Sequence, residues 1–96
     1  MAYYAVEYLF TPDKRHHEVR PAHREYLTDL QKAGSLVLSG PLTSDTGGLL
    51  IFQAADEAEI RELLAADPYA HAQVLADTRV QEWNPLLGYL AEHLKG

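Results

Sequence analysis

HHEVRPAHREYLTDLQKAG, residues 16–34, is the stretch on which the fold turns. Val19, His23, Tyr26, Leu27 and Leu30 recur on one stripe at helical spacing. His23 takes a place where that stripe asks for an apolar side chain. Gly34 ends the run well, because glycine adopts the left-handed conformation that closes a helix. Pro21 is the difficulty, since proline inside a helix removes a hydrogen bond. Two readings are open. Either a short turn covers 13–19 and the main helix begins with Pro21 near its first turn, or one helix from about residue 15 or 16 to 33 carries a kink. The first is preferred.

Before this run, YYAVEYLF at 3–10 is rich in aromatic and branched residues and reads as a strand. Thr11-Pro12-Asp13 turns the chain. After it, Leu36-Val37-Leu38 reads as a short buried strand that Ser39-Gly40-Pro41 stops. TSDTGG, residues 43–48, is turn chemistry, and Leu49-Leu50-Ile51-Phe52 gives the hairpin partner. Asp56 caps a second helix, with Glu59 as its capping-box partner and Ile60, Leu63 and Leu64 as its stripe. Asp67-Pro68 interrupts that helix. Residues 69–75 give one or two more helical turns, and 78–83 the last strand. Residues 86–94 read as a small amphipathic helix with Leu87, Leu90 and Leu94 on one side.

The order strand, helix, strand, strand, helix, strand specifies an α+β, ferredoxin-like βαββαβ fold: a four-stranded antiparallel sheet with two helices on one face. Its bare sheet face needs a cover, and a second copy stacked sheet to sheet would supply one. The expected organisation is one domain, 1–85, and a tail, 86–96.

With 96 residues there is room for one core. The net charge of −6 argues against nucleic acid and anionic membranes as partners. Without cysteine there is neither a disulfide nor a thiolate site. No apolar run approaches a membrane span, and MAYYAVE lacks the basic lead of a signal peptide, so the cytoplasm is expected. None of the five histidines pairs at zinc-helix spacing, and no phosphate loop or nucleophile elbow is present. No metal and no cofactor are expected.

His23 has two readings: a packed core histidine, or a general acid or base that needs a carboxylate to orient it. Asp67 is the best-placed partner, although an Asp before Pro is also an ordinary helix cap. Arg20 lies three residues before His23 on an adjacent part of the helix and suits a substrate carboxylate; its plain reading is a solvated arginine. Gly40 either admits a ligand close to the backbone or simply makes a turn.

The ordered set Arg20-Pro21-Ala22-His23, Ser39-Gly40-Pro41, Gly47-Gly48-Leu49-Leu50-Ile51, Asp67-Pro68 and Glu82-Trp83-Asn84-Pro85 resembles the YciI-like (YCII-related) family from about residue 3 to 85. The resemblance implies a dimeric α+β barrel with an active site built on a His–Asp pair. Its histidine falls on His23 and its aspartate on Asp67, with Arg20 and the Ser39-Gly40-Pro41 turn lining the same pocket. Some relatives resemble dehydrochlorinases and muconolactone-type isomerases. The expectation is thus a small cofactor-independent lyase or isomerase, homodimeric or larger, moving a proton on a small anionic substrate. The alternative is a non-catalytic dimeric ligand-binding or accessory module. No role transfers to His16-His17 or to the tail.

Overall fold

The computed structural model describes residues 1–94. Strand β1 spans Ala2–Phe10 and helix α1 His16–Ala33. Strands β2, Leu36–Pro41, and β3, Gly47–Ala54, form the hairpin. Helices α2, Glu57–Ala65, and α3, Pro68–His71, lead into strand β4, Leu75–Trp83. The sheet has the order β2-β3-β1-β4, antiparallel throughout, and this is the ferredoxin-like α+β arrangement.

Alternation along β1 decides which side is the core. Tyr4, Val6, Tyr8 and Phe10 are buried, while Glu7 and Leu9 are exposed. The register pairs Val6 with Leu50 and Tyr4 with Phe52, so β3 adds its own buried residues to that side. Leu27 and Leu30 of α1, Ile60 and Leu64 of α2, and Tyr69 of α3 close the core over it. Gly47 is required where the strands meet: a Cβ there would lie 1.9 Å from the Tyr8 carbonyl oxygen. That close approach fixes β3 against β1 beside Tyr8.

Four expectations are corrected. Helix α1 is one element with Pro21 inside it, rather than a turn followed by a helix that starts at Pro21. The proline removes one rung, to the His17 carbonyl, and the first turn is held by side chains instead: His16 and His17 both bond Asp45 in the β2–β3 loop. Second, Ser39-Gly40-Pro41 does not stop β2 but forms its second half. A bulge between Leu36 and Leu38 shifts the register so that Leu36 pairs with Phe52 and Ser39 with Leu50. Ser39 and Pro41 are thereby turned toward the helices, and Leu38 toward the opposite face, where it is 63% exposed. Third, β4 begins at Leu75, earlier than expected, because Gln73 at φ 58° ends the α3 segment abruptly. Fourth, the tail is not an amphipathic α-helix. Gly88 at φ 123° breaks it, and only Ala91–His93 forms a 3₁₀ turn. Lys95 and Gly96 of that tail lie outside the described residues.

The caps at Gly34 and Asp56 form as expected. Gly34 takes φ 86° and returns its N–H to the end of α1. Asp56 accepts from the Glu59 N–H at 2.9 Å, and Glu59 accepts from the Ala55 N–H at 3.1 Å.

The sheet face away from the helices is only partly covered. The tail lies beside Val37, Leu38 and Ile51, and Ile51 and Ala91 are buried there. Leu9, Leu49 and Trp83 stay between 43% and 49% exposed.

Candidate active site

Asp67 is positioned by the start of α3. Pro68 is preset for the first helical position, and the Asp67 side chain caps the turn by accepting from the Tyr69 N–H at 2.9 Å. The cap leaves its carboxylate directed into the core at 1% exposure. Two further donors reach it. The Tyr8 hydroxyl donates to Oδ2 at 2.8 Å. His23 Nδ1 lies 2.9 Å from Oδ1 and 3.0 Å from Oδ2. The carboxylate is thus satisfied from a strand, a helix and its own turn, as a buried charge must be.

This arrangement selects the histidine tautomer. The carboxylate oxygens accept, so Nδ1 carries the hydrogen and Nε2 keeps a lone pair on the opposite edge of the ring. The imidazole is stacked on the Tyr69 ring, with centroids 3.8 Å apart and planes 14° from parallel. Burial, followed by the nearby Asp67 charge and its hydrogen bond, pushes the Tyr8 phenol far above its ordinary value, so Tyr8 acts as a donor and not as an acid. Tyr26 is raised by burial and by Asp67 in turn, and its hydroxyl donates to the Leu63 carbonyl at 2.7 Å.

His23 borders a cavity of about 260 Å³. One wall is a stripe of α1, Arg20, His23, Arg24 and Leu27, spaced i, i+3, i+4 and i+7. The facing wall is the second half of β2, Ser39-Gly40-Pro41, with Gly48 and Leu50 of β3. Tyr8, Phe10 and Tyr69 complete the lining. The structure therefore brings together all six residues singled out from the sequence: His23, Arg20, Ser39, Gly40 and Pro41 on the cavity, and Asp67 behind the imidazole.

Arg20 is less free than the sequence suggested. Its Nη2 donates to Asp45 Oδ1 at 3.1 Å. The Tyr69 hydroxyl and then Asp45 raise its pKa further above the ordinary arginine value. Asp45 itself gathers His16 Nε2 at 3.0 Å, His17 Nε2 at 2.6 Å and Lys14 Nζ at 3.4 Å. The hydrogen bond from His16, then those from His17, Arg20 and Lys14, hold its carboxyl well below the usual carboxylate range against the opposing cost of desolvation. Asp45 holds φ 62°, a left-handed conformation that aspartate tolerates better than most residues.

His16, His17 and Asp45 place three possible cation ligands within 4.8 Å of one another. The donor set argues for a clasp instead. Both Nε2 atoms are spent on the carboxylate, and Lys14 and Arg20 put two positive charges beside it. His16 is stacked on Phe10 at 3.9 Å, and its Nδ1 is buried without a partner. A metal on Nε2 would force a hydrogen onto that orphaned nitrogen, where metal-bound histidines normally have an acceptor.

Sequence reasoning missed Tyr69, Arg24 and Asp45, and it favoured packing over a donor role for Tyr8. The alternation of β1 does place Tyr8 on the core face, and Tyr69 directly follows Asp67-Pro68, so both carried a local signal. Asp45 carried none, since it meets His16 across 29 residues.

The YCII-related domain model matches residues 1–84. The chain belongs to this family. Among solved structures, it is similar to 5-chloro-2-hydroxyhydroquinone dehydrochlorinase (TftG) of Burkholderia phenoliruptrix AC1100, determined in complex with 2,5-dihydroxybenzoquinone. The TM-score is 0.75 at 25% identity, over 84% of this chain and 92% of that one. An antibiotic biosynthesis monooxygenase shares the fold at TM-score 0.63 and 14% identity, over 91% of this chain and 100% of that one. A NIPSNAP domain protein of Burkholderia xenovorans shares it at 0.58 and 19%, over 90% and 95%. Among curated proteins, the "derivative of benzaldehyde biosynthesis cluster protein C" of Emericella nidulans is 36% identical over 62 residues. That stretch spans 53% of this chain and 63% of the relative. The family match ends at Asn84.

Proposed function

We propose that this YCII-family chain is a small enzyme that moves a proton on a ring-sized organic substrate, in an elimination or isomerisation, with His23 as base and Asp67 as its positioning residue. The observation that carries the reading is the His23–Asp67 contact at 2.9 Å, with the other edge of the imidazole on a cavity. In this reading Nε2 takes a proton from a carbon next to a carbonyl. The C–H electron pair moves into a new double bond, and in an elimination the leaving group departs with its own bonding pair. The imidazolium so formed is stabilised by the buried carboxylate, and its proton passes to water or back to the substrate. Ser39 and the Gly40-Pro41 backbone would face the substrate from β2, and Arg20 would shape the floor.

The likeness to a dehydrochlorinase supports a halogenated hydroxyquinol as the first compound to try. No helix among the described residues is long and apolar enough to cross a membrane. We further place a second copy of the chain on the exposed face around Leu9, Leu49 and Trp83, as a homodimer. The test is chloride release from 5-chloro-2-hydroxyhydroquinone, together with proton exchange on unsaturated ring acids, by the wild type and His23→Ala. Loss of turnover by about a hundredfold or more in a folded variant is expected. Equal rates would overturn the proposal and leave a binding module in which the pair is only structural.

A further inference from the structure

The chain carries a net charge of −6, yet the lining of its cavity contains two arginines and no carboxylate. Asp67 stands behind His23 at 1% exposure and does not reach the surface of the cavity. A positive hollow in a negative protein is a local choice that the overall composition opposes. The two arginines are not equivalent. Arg20 is bonded to Asp45 at 3.1 Å. Arg24 has no ion pair and no side-chain hydrogen bond among the described residues, and it is exposed on the cavity wall.

Their spacing sharpens the point. Like charges at i and i+4 on a helix repel. Asp45 pairs with Arg20, and nothing among the described residues pairs with Arg24. An oxyanion held in the cavity would do so. Arg24 lines the same cavity as His23, so a group docked on it is held near the imidazole. The remaining lining, Tyr8, Phe10, Leu27, Leu50 and Tyr69, is aromatic or apolar and suits a planar ring. The volume, about 260 Å³, is below the ~300–1,000 Å³ of sites for drug-sized ligands. It suits one substituted ring and little more.

We infer that Arg24, rather than Arg20, docks the substrate's acidic group, and that the substrate is a single ring bearing a delocalised oxyanion, either a carboxylate or an ionised hydroxyquinone. The inference deepens the reading of His23 as base and rests on it for the word substrate. Arg20, tied to Asp45, holds the β2–β3 loop against α1 and sets the shape of the cavity.

Binding of four probes to the full chain tests this: benzoate, benzamide, 2,5-dihydroxybenzoquinone and its uncharged dimethyl ether. The wild type should bind each anion more tightly than its neutral counterpart, and this preference should weaken with salt. Arg24→Gln should raise the Kd of the preferred anion at least about tenfold, as expected for loss of a charge-assisted bond, and leave the neutral probes unchanged. Arg24→Lys should recover part of the loss. Which anion leads separates a carboxylate from a hydroxyquinone substrate. His23→Ala should keep the anion preference. An unchanged anion Kd in Arg24→Gln overturns the inference, as does a wild type that binds neither anion or prefers the neutral probes. The function reading fails separately, if turnover survives His23→Ala while the Arg24 effect stands.

Discussion

The Tyr8 hydroxyl on β1 donates to Asp67 at the start of α3 at 2.8 Å, across 59 residues of chain. Tyr8 bonds one carboxylate oxygen and the Tyr69 N–H the other, and His23 Nδ1 approaches both. A core strand thus helps to hold the carboxylate that orients the imidazole.

Tyr8→Phe tests that relationship. It removes one donor from a buried carboxylate and leaves packing nearly intact. A loss of about 1–3 kcal/mol in unfolding free energy is expected from denaturant titration. Turnover should fall far less than in His23→Ala, because Nδ1 keeps its acceptor.

Asp67→Asn should separate orientation from packing. The amide can still cap α3, but it cannot stabilise an imidazolium, and it offers an N–H where the ring needs an acceptor. A fall of about a hundredfold or more in kcat is expected, with KM changed little. A variant with wild-type kcat would show that the carboxylate has no part in the chemistry.

Asp45 predicts a pH dependence. Its folded pKa is depressed below the unfolded value of about 3.9. Its contribution to stability is therefore fully present above that value and is lost as the pH falls through the folded pKa. Asp45→Asn should lower the melting temperature near pH 7, and the gap to wild type should close only below about pH 4. A gap that closes already between pH 5 and 7 would show that the ionised carboxylate is not what holds the clasp.

Leu49 tests the placement of a second copy. It is 44% exposed, on the sheet face away from the helices. Leu49→Glu places a charge at the centre of the uncovered region, where its burial would be unfavourable. Sedimentation should shift from dimer to monomer with secondary structure unchanged. A wild type that sediments as a monomer would remove the dimer proposal.

Periodicity marked the elements well where a residue's role is local. The β1 alternation, the Gly34 cap and the Asp56–Glu59 box depend on neighbours within a few residues, so the chain displays them directly. Pro21 shows the limit. Its local preference is for a helix start, and long-range bonds from His16 and His17 to Asp45 carried the helix past it. The bulge at Leu36–Leu38 shows another: one extra residue in β2 reverses the faces of all that follow, and Leu36-Val37-Leu38 contains no signal for it.

By itself the sequence determined the βαββαβ order and the apolar stripe of α1, and it offered His23 and Asp67 as candidate partners. Only the tertiary structure decided that Tyr8 completes that carboxylate, that Asp45 occupies Arg20, and that Arg24 is left facing the cavity. The reason is physical. Backbone propensity and apolar periodicity act over a few residues, whereas a buried charge or a free cation is defined by whichever groups the closed chain brings near it.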